Sequence, residues 1–150
     1  MLALFKNIFR GFKKDLINGF HKEHQTLIKI YGEINKSIEK ENYKKTKKLL
    51  DKFYKNYHKH ILKEDNYFYT YLRKKFRQEK NTDLLNFIDQ KQKEMENITV
   101  FIKHFLKKYQ SPKTIKNNIK EFKKEFESLG TELTKRVEFE EKKLYPLYKK

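Results

Sequence analysis

The sequence predicts an all-α fold, an antiparallel up-down four-helix bundle, and three observations predict it. Apolar and aromatic residues recur at steps of three and four along four long stretches. Only four Gly and two Pro interrupt 150 residues, which disfavours many-turned β architectures. The breaks between stretches are a few polar residues long, and links that short make sequence neighbours antiparallel. The length suits one domain with one core.

Met1 to Phe12 places Leu2, Phe5, Phe9 and Phe12 near one helical face, with Lys6, Arg10 and Lys13 elsewhere. Residues 1–14 therefore read as a short amphipathic arm whose aromatics pack on the bundle; the competing use is to lie on an anionic membrane surface. The bundle itself is expected over 15–150. Its first segment, about Asp15 to Glu39, carries the stripe Ile17, Phe20, His24, Leu27, Tyr31, Ile34, Ile38. The second, about Tyr43 to Arg77, reads Leu50, Phe53, Tyr57, His60, Glu64, Tyr67, Tyr71 at the same spacing. Breaks fall at Lys40 to Asn42 and at Gln78 to Asn81. A third segment, about Thr82 to Tyr109, carries Leu84, Ile88, Met95, Ile98, Ile102 and Phe105, with Glu94 on the flank of the stripe. The fourth follows Ser111–Pro112, a good N-cap and first helical position, and reaches Tyr148. Its stripe is Ile119, Phe122, Phe126, Leu129, Leu133, Val137, Glu140, Leu144, Leu147, bordered by Arg136.

These stripes are apolar except near their centres, where His24, the pair His60 and Glu64, and Glu140 replace hydrophobes. At a rise of about 1.5 Å per residue, heights counted from the turns agree for the first two segments. His24 lies 17 positions before Glu41, and His60 lies 19 after it. Glu94 and Glu64 agree similarly about Lys80. Glu140 fits less well, which calls for either an irregular connection after Pro112 or a different contribution from the third segment. Buried ionisable groups from separate helices must satisfy one another or a bound ion. His60 and Glu64, four apart on one helical face, can reach the same divalent metal. Alternatively, Arg136 supplies the positive charge and a His, Glu and Arg network fills the core without metal. His21, one turn before His24, and Tyr57 are candidates for supporting contacts, whereas His58 and His104 point away from the seam.

Composition removes other classes. There is no Cys, so disulfides and thiolate metal sites are excluded. The net charge of +17 is nearly all Lys spread along the whole chain, which reads as a solvated exterior and not as a specific nucleic-acid surface. No apolar run approaches a membrane span and no signal peptide is evident, so the cytoplasm is the expected location. No nucleophile-and-base motif, Gly-rich phosphate loop or zincin helix is present, so binding or sensing is expected ahead of catalysis.

The segments HKEHQTLIKIYGEI, HILKEDNYFYTYL and RVEFEEKKLYPLY, in that order, resemble the bacterial hemerythrin-like family of HHE cation-binding domains. The likeness spans about Leu16 to Tyr148, and its most telling parts are the His60 to Glu64 step and the ending from Glu140 to Pro146. It implies a four-helix bundle with a non-haem iron centre, dinuclear in the family, that binds or senses O2 or NO, handles iron, or repairs damaged iron centres. By that resemblance His24, His60, Glu64 and Glu140 fall on ligand positions; the residues themselves offer Glu94 as the third segment's ligand and Glu141, beside Glu140, as a supporting group. This chain departs from the family where a His pair is expected on the third helix and where Arg136 stands four residues before Glu140. A site so rich in carboxylate favours oxidised iron or manganese over a reversible oxygen carrier. The architecture and the ending also resemble the bacterial anti-sigma regulators that bind the principal sigma factor, which implies the rival reading: a metal-free bundle with a protein partner.

Overall fold

The computed structural model describes residues 12–149. Among the described residues it is helical with no strand: α1 (Leu16–Glu39), α2 (Tyr43–Lys63), a π-helical turn (Glu64–Tyr69), α3 (Thr70–Gln78), α4 (Thr82–Lys108), α5 (Pro112–Asn117), α6 (Ile119–Phe139), a second π-helical turn (Glu140–Leu144) and a closing 3₁₀ turn (Tyr145–Leu147). α2, the first π-turn and α3 form one rod, as do α6 and the second π-turn, so the four-helix bundle stands. Residues 1–11, and with them most of the predicted arm, lie outside the described residues. Phe12 stacks on Tyr148 at 4.9 Å, and the Lys13 amide donates to the Tyr148 hydroxyl at 2.6 Å.

The turns after α1 and α3 are built alike. Glu41 and Lys80 adopt φ of 56° and 55°, the left-handed conformation that closes a helix end, and the next residue is Asn in both. Asn42 accepts from the Lys45 amide and Asn81 from the Leu84 amide, each capping the following helix. The amides of Asn42 and Asn81 bond back to the carbonyls of Ser37 and Phe76 at 2.9 Å. Both reversals are therefore local, and they hold neighbouring helices antiparallel.

The fourth segment differs from the expected single rod. Pro112 starts a short helix capped by Ser111, but the chain breaks at Asn118, with φ of −126°. That irregular connection resolves the height mismatch of Glu140: α6 begins afresh at Ile119, so positions counted from Ser111 do not measure its height.

Two apolar clusters fill the bundle. One, toward the α1–α2 turn, gathers Ile30, Ile34, Leu50, Phe53, Met95, Ile102, Phe105, Phe122 and Phe126. The other, toward the chain ends, gathers Phe20, Phe68, Leu72, Phe76, Ile88, Leu144, Tyr145 and Tyr148. Each fully buried large side chain contributes about 1.5–3 kcal/mol. Between the clusters lies a polar layer of His24, His60, Glu64, Arg136 and Glu140, all buried. The π-turns shift the stripes just beyond it. Tyr67, expected in the seam, is 43% exposed, and Phe68 is fully buried instead. An extra residue in the turn rotates everything downstream by about 100° relative to an α-helix.

Candidate metal centre

Three helical rods supply the layer. His24 comes from α1, His60 and Glu64 from α2 and the turn that follows, and Glu140 and Arg136 from α6 and its turn. Donor atoms of His24, His60 and Glu140 lie within 4.8 Å of one another. His24 Nε2 is 3.1 Å from Glu140 Oε1, and His60 Nε2 is 2.9 Å from Glu64 Oε1. The latter approach lacks hydrogen-bond geometry, so His60 Nε2 and Glu64 Oε1 remain buried without hydrogen-bond partners, as does Arg136 Nη1. His60 Nε2 and Glu64 Oε1 attract each other as ions while His60 is protonated; once that proton is gone, an imidazole nitrogen and a carboxylate oxygen face each other as donors a cation would take up.

The outer ring nitrogens are already engaged. His60 Nδ1 meets Glu23 Oε1 at 2.6 Å, and His24 Nδ1 lies 3.3 Å from Glu141 Oε1, which also meets His21 Nδ1 at 2.7 Å. Carboxylates behind imidazoles fix ring orientation and leave Nε2 facing inward, an arrangement typical of metal-bound His. Burial alone lowers the His60 pKa, but the hydrogen bond to Glu23 and the close, negatively charged Glu64 and Glu140 outweigh it and raise it to about 10. Burial and the Glu140 charge push Glu64 up to about 7 against the opposing effect of His60. Glu140 moves the other way: burial raises it, yet His24 and Arg136 hold it below the ordinary carboxylate value. One carboxylate is thus held ionised and its neighbour is poised to be neutral, as two close buried acids require.

The side of the layer facing α4 has a different chemistry. Arg136 Nε donates to Glu140 Oε2 at 3.2 Å and Arg136 Nη2 to the Tyr69 hydroxyl at 3.0 Å. Glu94, expected to be a metal ligand, is not brought into the cluster. Its side chain is 44% exposed, pairs with Lys91 at 3.2 Å, and approaches Arg136 Nη1 only to 3.8 Å. Tyr57 is buried, but its hydroxyl bonds Thr99 at 2.7 Å and no carboxylate. His58 and His104 are exposed.

Two residues that touch the polar layer escaped sequence reasoning. Glu23 adjoins His24 off the stripe, where no seam count selects it; the opposed charge of Lys63, which it meets at 2.6 Å, is the only sequence signal. Tyr145 lies five residues after Glu140, on the wrong face of an α-helix, and the π-turn brings it inward. Its hydroxyl is 3.2 Å from His24 Nε2 and 3.3 Å from both Glu64 Oε2 and Glu140 Oε1.

A family model described as the hemerythrin HHE cation binding domain matches residues 15–148. Among curated proteins and among solved structures, nothing matches. The matched span contains every residue of the polar layer together with both π-turns, and a cation-binding domain accords with nitrogen and oxygen donors converging in a dry core. The chain belongs to the hemerythrin family of HHE cation-binding domains.

Proposed function

We propose that this protein is a non-haem iron protein that uses the polar layer to bind or sense a diatomic gas, O2 or NO, or to handle iron. The observation that carries the reading is the convergence of His24, His60 and Glu140 donor atoms within 4.8 Å in the dry core, with Glu64 Oε1 2.9 Å from His60 Nε2 and no hydrogen bond between them. His24, His60, Glu64 and Glu140 would hold the metal, and manganese suits the same donors. Bound there, iron supplies redox chemistry and an affinity for diatomic ligands.

The chain's own residues prepare the place. Glu23 and Glu141 keep the two imidazoles turned inward. Arg136 keeps Glu140 ionised, and because it occupies Oε2, it leaves only Oε1 free for an ion. A carboxylate so engaged is poorly disposed to bridge two ions, so we take the centre to hold one, in place of the dinuclear site expected from the resemblance. A cavity of about 790 Å³ reaches the layer between α1 and α6, past Leu27, Tyr31, Phe53, Met95, Leu133 and Val137. An apolar path of that size admits an uncharged diatomic and disfavours charged solutes.

Elemental analysis of protein purified after growth with iron tests this. One iron per chain is expected, with His60→Leu abolishing uptake. Metal-free protein whose melting temperature does not respond to ferrous iron would instead favour a metal-free interaction module centred on the Arg136 network.

A further inference from the structure

Tyr145 differs from Tyr31 and Tyr57 in how its hydroxyl is held. The hydroxyls of Tyr31 and Tyr57 each close on one partner, at 2.8 and 2.7 Å. That of Tyr145 lies 3.2–3.3 Å from three atoms, His24 Nε2, Glu64 Oε2 and Glu140 Oε1, and approaches none closely. A phenol has one proton to donate, and a hydroxyl hydrogen bond ordinarily closes to about 2.7–2.8 Å. One phenol proton can serve only one of the two carboxylate oxygens, so the hydroxyl does not close on all three neighbours at once. Four of the six spacings among these atoms suit donors that share a cation. Donors surrounding one first-row ion at about 2.0–2.2 Å lie about 2.8–3.6 Å apart, in tetrahedral or octahedral arrangements alike. The spacings here are 3.1 Å between His24 and Glu140 and 3.2–3.3 Å from each donor to Tyr145.

We propose that Tyr145 is itself a metal ligand, its phenolate oxygen joining His24, His60, Glu64 and Glu140 on a single ferric ion. The inference rests on the metal-binding reading above. When iron binds, an Oη–iron bond forms, the phenolic proton leaves to solvent, and no electron is transferred; phenolate ligation of iron is established chemistry. The local cause is the π-turn at Glu140–Leu144, which puts a residue five positions after Glu140 on the face that Glu140 occupies. Tyr69 is the internal control: it is buried in the same layer but engaged by Arg136 Nη2 and turned toward the guanidinium.

The test is visible absorption and resonance Raman spectroscopy of the full chain loaded with ferric iron, with iron content measured on each sample. A visible charge-transfer band whose excitation enhances tyrosinate ring modes is expected in the wild type and in Tyr69→Phe. Tyr145→Phe is expected to retain iron and lose both signals. Iron bound at one per chain with no tyrosinate modes in the wild type overturns the inference while leaving the metal site standing, and that measurement needs no variant to fold. Iron retained with an unchanged spectrum in Tyr145→Phe overturns it in the same way. Wild-type protein that takes up no iron overturns this inference and the reading beneath it together.

Discussion

On α2, His60 stands four residues before Glu64; on α6, Arg136 stands four residues before Glu140, and both carboxylates open a π-turn. Within this common plan the two sides differ in the cation beside the carboxylate. An imidazolium releases its proton and presents a lone pair to a metal. A guanidinium does neither at any physiological pH, so it remains a fixed counter-charge. On the proposed reading the α1–α2 side exchanges a proton for a metal ion, while the α6 side fixes the charge and orientation of the one carboxylate that faces both.

The largest expected effect that tests this difference is on stability. Arg136→Leu strips Glu140 and Tyr69 of their partner in a dry core and is expected to destabilise the metal-free protein by about 3–5 kcal/mol, read by denaturant unfolding at pH 7. His60→Leu should cost less, because Glu64, already at about 7, takes up a proton and Glu23 keeps Lys63 as a partner. Equal losses would break the comparison.

Metal affinity gives the next contrast. Glu23→Gln and Glu141→Gln loosen the imidazoles they orient and should weaken binding about 10–100-fold in a chelator competition titration. Glu94→Gln, at the exposed edge of the other side, should leave affinity unchanged.

The pH dependence of the metal-free protein sharpens the same point. His60 has a folded-state pKa of about 10 against an ordinary 6.5, so the folded state holds this proton longer than the unfolded chain. Its contribution is complete below about 6.5 and is lost as pH rises toward about 10. Equilibrium unfolding across that range should show stability falling, and His60→Leu should remove that part of the slope. Glu23, Glu140 and Glu141, all lowered, act oppositely: their contribution is lost as pH falls below the ordinary carboxylate value of 4.5. The smallest effect belongs to Tyr57→Phe, which removes a hydrogen bond to Thr99 alone. It should cost about 0.5–1.5 kcal/mol by thermal unfolding and leave metal content intact.

What could be read from sequence follows the regularity of the helix. Steps of three and four identify which residues share a face only while the chain keeps 3.6 residues per turn. His24, His60, Glu64 and Glu140 all lie on regular α-helix or at the first residue of a π-turn, and each faces inward as the spacing implied. Tyr67, Phe68 and Tyr145 come after that first residue, where the phase has changed, so the count chose the wrong tyrosine on one rod and missed the right one on the other. Glu94 stands at the height that counting about Lys80 gives it, but height does not fix direction: from the flank of its stripe it pairs with Lys91, and Arg136 occupies the side of the layer it would have entered. The break at Asn118 resets the height of α6, so the level of Glu140 cannot be counted from Pro112. Glu23 could not be found from stripes at all, because a group that orients an imidazole from behind lies outside the seam by construction.

The proposed centre holds one ion, and only one, on the α1–α2 side of the layer. Anomalous diffraction at the iron edge from crystals of iron-loaded protein tests it most directly. A single peak bounded by His24, His60, Glu64 and Glu140 is predicted; no peak there, or a second peak between Glu140 and Glu94, would contradict it.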